Sequence, residues 1–282
     1  MKSPVSIEKA TLLAKASTAD VYAWGIGHVL KLFHERTPWH ANEVNATRVA
    51  HEAYLPVPEV IDGLVEVDGR EGIVFERVVG PTMTEYIEDH PDKVKYCAQQ
   101  AAELHARIHS TEVTELPPLI EILSWSIQQA DPLEERTRKA VLDVLNGLPA
   151  GGVLSHNDFY PNNIIVSLQG PVVIDWAIGT RGNPLADLAR TWLLSKLLLS
   201  EYEENKGPEH LQHMWQRFWE TYLRRYEELR PYNTEDLFQW RIIAATASLV
   251  WGGEGVSVAS IEQRVSFVKA ALGGTEHPWL GG

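Results

Sequence analysis

Three residues in one stretch have the types and spacing to move a phosphoryl group. In Ser155-His156-Asn157-Asp158-Phe159-Tyr160-Pro161-Asn162-Asn163, Asp158 precedes Asn163, and further on Asp175 ends the apolar run Val172-Val173-Ile174. A carboxylate in Asp158's place can accept a hydrogen bond from an attacking hydroxyl and align its oxygen. An Asx turn or loop cap is the structural alternative for an isolated Asp; the spaced partners favour the chemical one. Asn163 and Asp175 offer oxygen atoms, the donors that Mg²⁺ prefers, and two protein ligands plus phosphates suffice for that ion. They flank an expected hairpin, Ile164 to Ile174, whose ends must meet. Asn162 is the competing amide, and spacing selects Asn163.

Other residues could support this set. His156, two positions before Asp158, could be a general base, but a ring that bonds backbone and fixes the loop is the preferred reading. Asp187, in Gly182-Asn183-Pro184-Leu185-Ala186-Asp187, braces the same loop or simply serves a helix N-terminus. Lys31 sits between Leu30 and Leu32, so strand alternation turns it to the face opposite those two, where it suits nucleotide phosphates. It needs an acid to hold it; Glu43 is the first candidate and Glu52 the second. The turn Ala14-Lys15-Ala16-Ser17-Thr18-Ala19 would cover the nucleotide. It has none of the usual glycines, and Ser17 could offer a backbone N–H.

The elements that must position these residues follow from pattern. Ala19–Trp24 alternates, Gly25-Ile26-Gly27-His28 is a turn, and Val29–Phe33 returns. Residues 38–54 read as a helix, ended by Pro56 and Pro58. Val60–Val67, an Asp68-Gly69 turn and Gly72–Val78 form another hairpin. After Gly80-Pro81 the pattern becomes helical. Asp92–Ser110 carries a stripe of Val94, Cys97, Ala101, Leu104 and Ile108. Pro117-Pro118 breaks the chain, and Leu133–Leu148 is a further helix. The hairpin Ile164–Val166/Val172–Ile174 turns at Leu168-Gln169-Gly170. Helices follow from Leu185, including Glu209–Leu229, Thr234–Trp251 and Ser260–Leu272. The expectation is an α+β, two-lobed chain: a small antiparallel-sheet lobe over residues 1–80 that binds nucleotide, and a larger, mostly helical catalytic and substrate lobe over 81–282. A cleft between unequal lobes is a natural nucleotide site.

Bulk properties narrow the partners. With 282 residues and a net charge of −13, the chain does not suit a nucleic acid; a cationic small molecule suits it better, although acidity can serve solubility alone. Acids outnumber bases over Glu201–Asp236. The single cysteine, Cys97, excludes an intrachain disulfide and reads as a core residue. Met1–Lys15 lacks the apolar core of a secretion signal, and Leu185–Leu199 is interrupted by Asp187, Arg190 and Lys196, so a cytoplasmic protein with no membrane span is expected.

Together these motifs resemble the aminoglycoside phosphotransferase and choline-kinase-like family, of protein-kinase-like fold. Asp158 and Asn163 match its His-x-Asp-x-x-x-x-Asn pattern, and Ile174-Asp175-Trp176 its Ile-Asp-Trp motif. Gly182–Ala189 is similar to its Gly-Asp/Asn-Pro-x-x-Asp-Leu-Ala segment, and Leu104–His109 to its Leu-His-x-x-His helix. Val29-Leu30-Lys31 resembles its nucleotide lysine, and Glu76–Gly80 its hinge. The likeness spans roughly Thr11 to Arg190. It implies ATP or GTP with Mg²⁺, and adenine hydrogen bonds to the backbone of Glu76 and Val78. The expected activity is γ-phosphoryl transfer to a hydroxyl of an aminoglycoside, amino sugar, amino alcohol or sugar. A protein Ser/Thr kinase is the first alternative, disfavoured by the few residues between Asp175 and Gly182-Asn183-Pro184. A non-catalytic nucleotide-binding module is the second.

Overall fold

The computed structural model describes residues 7–8, 10–204, 208–250 and 258–281, and side chains at 7–8, 10–200, 208–250 and 259–279. Trp251, the expected end of a helix, lies outside these residues, as do Met1–Ser6, Lys9 and Lys206; the side chains of Glu201, Glu203 and Glu204 lie outside them too. The strands are β1 (Leu12–Lys15), β2 (Ala19–Ala23), β3 (His28–Phe33), β4 (Val60–Val67), β5 (Arg70–Glu76), β6 (Val153–Ser155), β7 (Ile164–Ser167), β8 (Gly170–Val173) and β9 (Thr180–Gly182). The helices are α1 (Trp39–Glu52), α2 (Met83–Asp89), α3 (Val94–Ile108), α4 (Leu119–Gln128), α5 (Glu135–Gly147), α6 (Pro184–Glu204), α7 (Glu209–Leu229), α8 (Thr234–Ala247) and α9 (Val258–Gly273). The chain divides into two compact units, residues 1–86 with 161–179, and residues 87–160 with 180–282, the boundary falling within α2.

In the first unit β1 to β5 form an antiparallel sheet in the order β1-β2-β3-β5-β4. Alternation along β3 sorts its side chains. Leu30 and Leu32 bury on one face with Val67 and Val74. Phe33 and Val29 bury on the other with Ala19, Ile73, Phe75 and Val44 of α1. Each fully buried leucine contributes roughly 1.5–3 kcal/mol of hydrophobic stabilisation. Lys31 shares the second face, beneath α1. The Asp68-Gly69 turn has both residues at positive φ, 49° and 76°, the geometry that matches strand twist in a two-residue hairpin.

The β7–β8 hairpin belongs to this unit although it lies far along the chain. Val166 N donates to Pro81 O at 2.9 Å, Val173 N donates to Pro56 O at 2.8 Å, and Thr82 bridges Ile165. These bonds tie the hairpin to the segments that flank α1 and β5. Thr82 also opens α2 with a reciprocal cap: Thr82 N donates to Glu85 Oε2 at 2.8 Å and Glu85 N to Thr82 Oγ1 at 3.2 Å.

The second unit is mainly helical. In α3 the stripe Val94, Cys97, Ala101, Leu104 and Ile108 is buried, and the helix packs along α7. Burial raises the Cys97 thiol to about 11, which keeps it inert. Trp192, Trp215, Trp240, Phe218, Tyr222 and Phe267 fill the interior among α6, α7, α8 and α9. Helix α4 was not anticipated. Pro118 precedes its first residue with an extended backbone, so the Pro-Pro pair starts a helix as well as ending the loop before it. The pair β6–β9 was also not anticipated; each strand has too few residues to show alternation. Among the described residues no helix is long and apolar enough to cross a membrane.

Candidate active site

In the first unit a lysine stands between two carboxylates. Lys31 Nζ lies 2.7 and 3.0 Å from the two Glu43 oxygens and 3.0 Å from Asp175 Oδ1. Strand β3 aims Lys31 at α1, and the helix period buries Glu43 beside Val44, Ala46 and Thr47. Glu52, at the far end of α1, is exposed. Burial works against the Lys31 charge, but Glu43 and then Asp175 outweigh it, so the ammonium binds its proton more tightly than usual. Burial raises Glu43 to about 7 despite Lys31, and Asp175 adds to the rise.

Asp175 has a left-handed backbone, φ 64°, which turns the chain sharply after β8. The segment behind it is clamped onto α1. Asn42 Nδ2 donates to Ala177 O and Gly179 O, both at 2.9 Å. A Cβ on Gly179 would lie 2.6 Å from Ala46 Cβ, so glycine is what lets this turn approach the helix. Asn163 is buried at the other end of the hairpin, where its carbonyl accepts from Ile174 N at 2.9 Å. That bond and the Ile164–Val173 pairing make Asn163 and Asp175 neighbouring ends of one ladder. Their side chains are an amide and a carboxylate, a hard oxygen set that fits Mg²⁺.

The remaining residues expected to face nucleotide are in the same unit. Ser17 is exposed in the β1–β2 turn, with its carbonyl 3.1 Å from His34 Nδ1. Glu76 ends β5, and its amide donates to Glu59 O at 2.9 Å. Val78 follows Arg77, whose amide bonds Gly27 O at 2.8 Å.

In the second unit the loop carrying Asp158 hangs from one buried carboxylate. Asp187, in the first turn of α6, accepts from His156 N at 2.5 Å and Asn157 N at 2.8 Å. His109 Nε2 lies 3.2 Å from Asp187 Oδ2. His105 Nε2 is equally near but off the hydrogen-bonding direction. Tyr222 OH and Tyr226 OH meet the Nδ1 atoms of His105 and His109 at 2.5 and 2.6 Å. Tyrosine hydroxyls that donate to Nδ1 leave each Nε2 carrying its proton, and His109 then donates to Asp187.

Burial pushes Asp187 up, but the two histidines outweigh it and hold the carboxyl well below its usual range. Bonds from two backbone amides favour the same ionised form. Burial also depresses both histidines, His105 to about 4, so they are neutral near pH 7.

The loop backbone is fixed on either side of Asp158. Asn157 takes φ 63° and its Nδ2 donates to Thr180 Oγ1 at 2.8 Å. Thr191 Oγ1 donates to Phe159 O at 3.1 Å. Asp158 N donates to His156 Nδ1 at 3.2 Å, so that ring nitrogen carries no proton and the fully buried imidazole serves the loop backbone. Asp158 itself is half-buried. Sequence reasoning missed Thr180 and Thr191, whose hydroxyls are anonymous in a sequence. It also missed the tyrosine partners of the His105/His109 pair, although those histidines' four-residue spacing on a buried stripe was a signal.

A search of curated proteins returns no match. Solved structures share the fold at low identity. A thermostable mutant of aminoglycoside phosphotransferase APH(4)-Ia, in ternary complex with AMP-PNP and hygromycin B, aligns with TM-score 0.65 and 16% identity over 94% of this chain and 93% of that one. A choline/ethanolamine kinase family protein from Mesorhizobium loti gives 0.61 and 17%, over 96% and 90%. Amicoumacin kinase hAmiN, in complex with AMP-PNP, Ca²⁺ and Ami, gives 0.62 and 13%, over 99% and 93%. The sequence profile of the phosphotransferase enzyme family matches residues 9–232, most of the chain, and the protein belongs to that family.

Proposed function

We propose that this phosphotransferase moves the γ-phosphoryl group of ATP or GTP to a hydroxyl of a small molecule, an aminoglycoside, another amino sugar, an amino alcohol or a sugar. The observation that carries the reading is Lys31 bridging Glu43 and Asp175 at 2.7–3.0 Å. An ammonium held on that strand face, with one carboxylate to anchor it and one on the metal motif, has the charge and position for nucleotide phosphates.

In this reading Asp158 accepts the hydrogen bond of the acceptor hydroxyl, orients its oxygen toward phosphorus and takes its proton late. Asn163 and Asp175 would hold Mg²⁺, which when bound offsets charge on the phosphates. Lys31, held by Glu43, binds phosphate oxygens. The Ser17 amide lies over them, and the Glu76 carbonyl and Val78 amide take the base. His156 and Asp187 keep the Asp158 loop in shape. Structures of similar fold bound to AMP-PNP with hygromycin B, and to AMP-PNP with Ca²⁺ and Ami, support a nucleotide, a divalent ion and a small hydroxylated acceptor. The net charge of −13 supports a cationic one.

The test is a coupled nucleotide-consumption screen over aminoglycosides, amino alcohols and sugars, with Asp158→Asn as the blank. Consumption that depends on one acceptor and is lost in the blank is the expected result. Phosphate incorporated into protein substrates, and into no small molecule, would overturn it.

A further inference from the structure

Helix α6 reads the Asp158 loop with one of its faces. Asp187, Arg190 and Thr191 stand at three- and four-residue steps, so they share that face. Asp187 takes the amides of His156 and Asn157, and Thr191 takes the carbonyl of Phe159. Between them Arg190 Nε donates to Asn157 O at 3.4 Å, the carbonyl of the peptide that leads into Asp158. On the loop, Asp187 takes backbone amides and Thr191 a backbone carbonyl, on either side of the carboxylate. Arg190 brings a fixed charge to the same three-residue span.

We infer that Arg190 is a positioning residue for Asp158, its guanidinium holding the Asn157 carbonyl while its charge orients the carboxylate of the next residue. The inference rests on the reading of Asp158 as the acceptor-facing group. Chemistry supports it, because a planar guanidinium presents several donors in a fixed fork and can serve a carbonyl and a carboxylate together. Electrostatics supports it too. Burial works against the Arg190 charge, and Asp158 acts in its favour more strongly than Asp187 or Tyr160 does.

Other ionisable groups stand near the pair. His156 and Tyr160 lie on the loop, with His156 Nδ1 already accepting from Asp158 N. Asp187 is bound to His109, which follows the last residue of α3, with His105 of that helix at its side. Arg264 of α9 opposes Arg190 by like charge, but its guanidinium is bonded to Ser248 O at 2.7 Å and Ser260 O at 3.0 Å. Arg241 of α8 stacks on Trp192, 4.7 Å from the ring centroid. On α6 itself Lys196 lies more than a turn beyond Arg190.

The experiment separates charge from wedge. Arg190→Gln keeps a donor for Asn157 O and removes the charge. Arg190→Met removes both and serves as a second uncharged variant. Arg190→Lys keeps the charge. Each is prepared with ¹³Cγ-labelled aspartate, and the Asp158 carboxyl signal is identified by its loss in Asp158→Asn. The inference expects the Asp158 titration to move up by about one pH unit in the uncharged variants and to stay near the wild-type position in Arg190→Lys. Turnover on an acceptor should fall roughly tenfold in Arg190→Gln with nucleotide affinity unchanged. An Asp158 titration unmoved in folded Gln or Met variants, or moved as far in Lys as in Gln, overturns it. Full turnover in Asp158→Asn would instead defeat the reading of Asp158, and the carboxyl titration would still decide whether Arg190 acts on it.

Discussion

Two carboxylate-centred clusters, one in each unit, are built in opposite ways. Around Lys31 the partners are charges: an ammonium faces Glu43 and Asp175, and the Asp175 side chain is 40% exposed. Around Asp187 the partners are neutral donors, two backbone amides and a histidine, and the carboxylate is fully buried. The first arrangement leaves an oxygen-bearing group open to exchange partners. The second is held by three fixed donors in a dry interior and suits a permanent brace. A carboxylate bonded by backbone amides costs the least to keep ionised in a dry interior, because the dipoles that stabilise it are already part of the fold.

That contrast can be broken where it is strongest. Asp187→Ala would strand two loop amides and His109 without their acceptor. A loss of about 3–5 kcal/mol is expected, because each buried donor left unsatisfied costs about 1–3 kcal/mol. Urea unfolding would read it; a change under 1 kcal/mol would mean the loop does not hang from Asp187.

Acid should attack the same cluster next. His105 titrates at about 4 in the folded protein against a usual 6.5, so the unfolded chain binds more protons between those values. Stability should therefore be whole above about 6.5 and fall as pH drops toward 4, by up to about 3 kcal/mol. Thermal melts across that window test it, and His105→Asn should flatten the profile.

The Lys31 cluster should respond least in stability. In Lys31→Met the buried Glu43, already raised to about 7, can take a proton in place of its ion pair. A cost of about 1–2 kcal/mol is expected, below that of stranding a charge outright. Calorimetry should instead show weakened Mg²⁺-nucleotide binding. A stability loss equal to that of Asp187→Ala would erase the distinction between the two clusters.

The parts of this architecture that were legible in the sequence are those with a period or a short-range bond. Lys31's face followed from strand alternation, and Glu43 was the first of two acids offered by the helix that follows. Asn163 and Asp175 met because a hairpin must close. The helix Glu209–Leu229 appears with the bounds its pattern implied. Illegible were contacts that join distant segments through single atoms. Nothing in the local pattern of Thr180 or Thr191 announces a bond to Asn157 or Phe159. Helix α4 was hidden behind two prolines that stop one element and start the next. The grouping of residues 161–179 with the N-terminal unit depends on bonds to Pro56 and Pro81 carbonyls, which have no sequence signature.

The central claim is that Asp158 acts on the acceptor while the Lys31 cluster serves the nucleotide. The most direct test is a paired measurement on wild type and Asp158→Asn: Mg²⁺-nucleotide affinity by calorimetry, and phosphoryl transfer to an acceptor found by screening. The account predicts unchanged affinity with transfer reduced on the order of 10²–10⁴-fold. Transfer at the wild-type rate in Asp158→Asn, or loss of nucleotide binding in step with transfer, would contradict it.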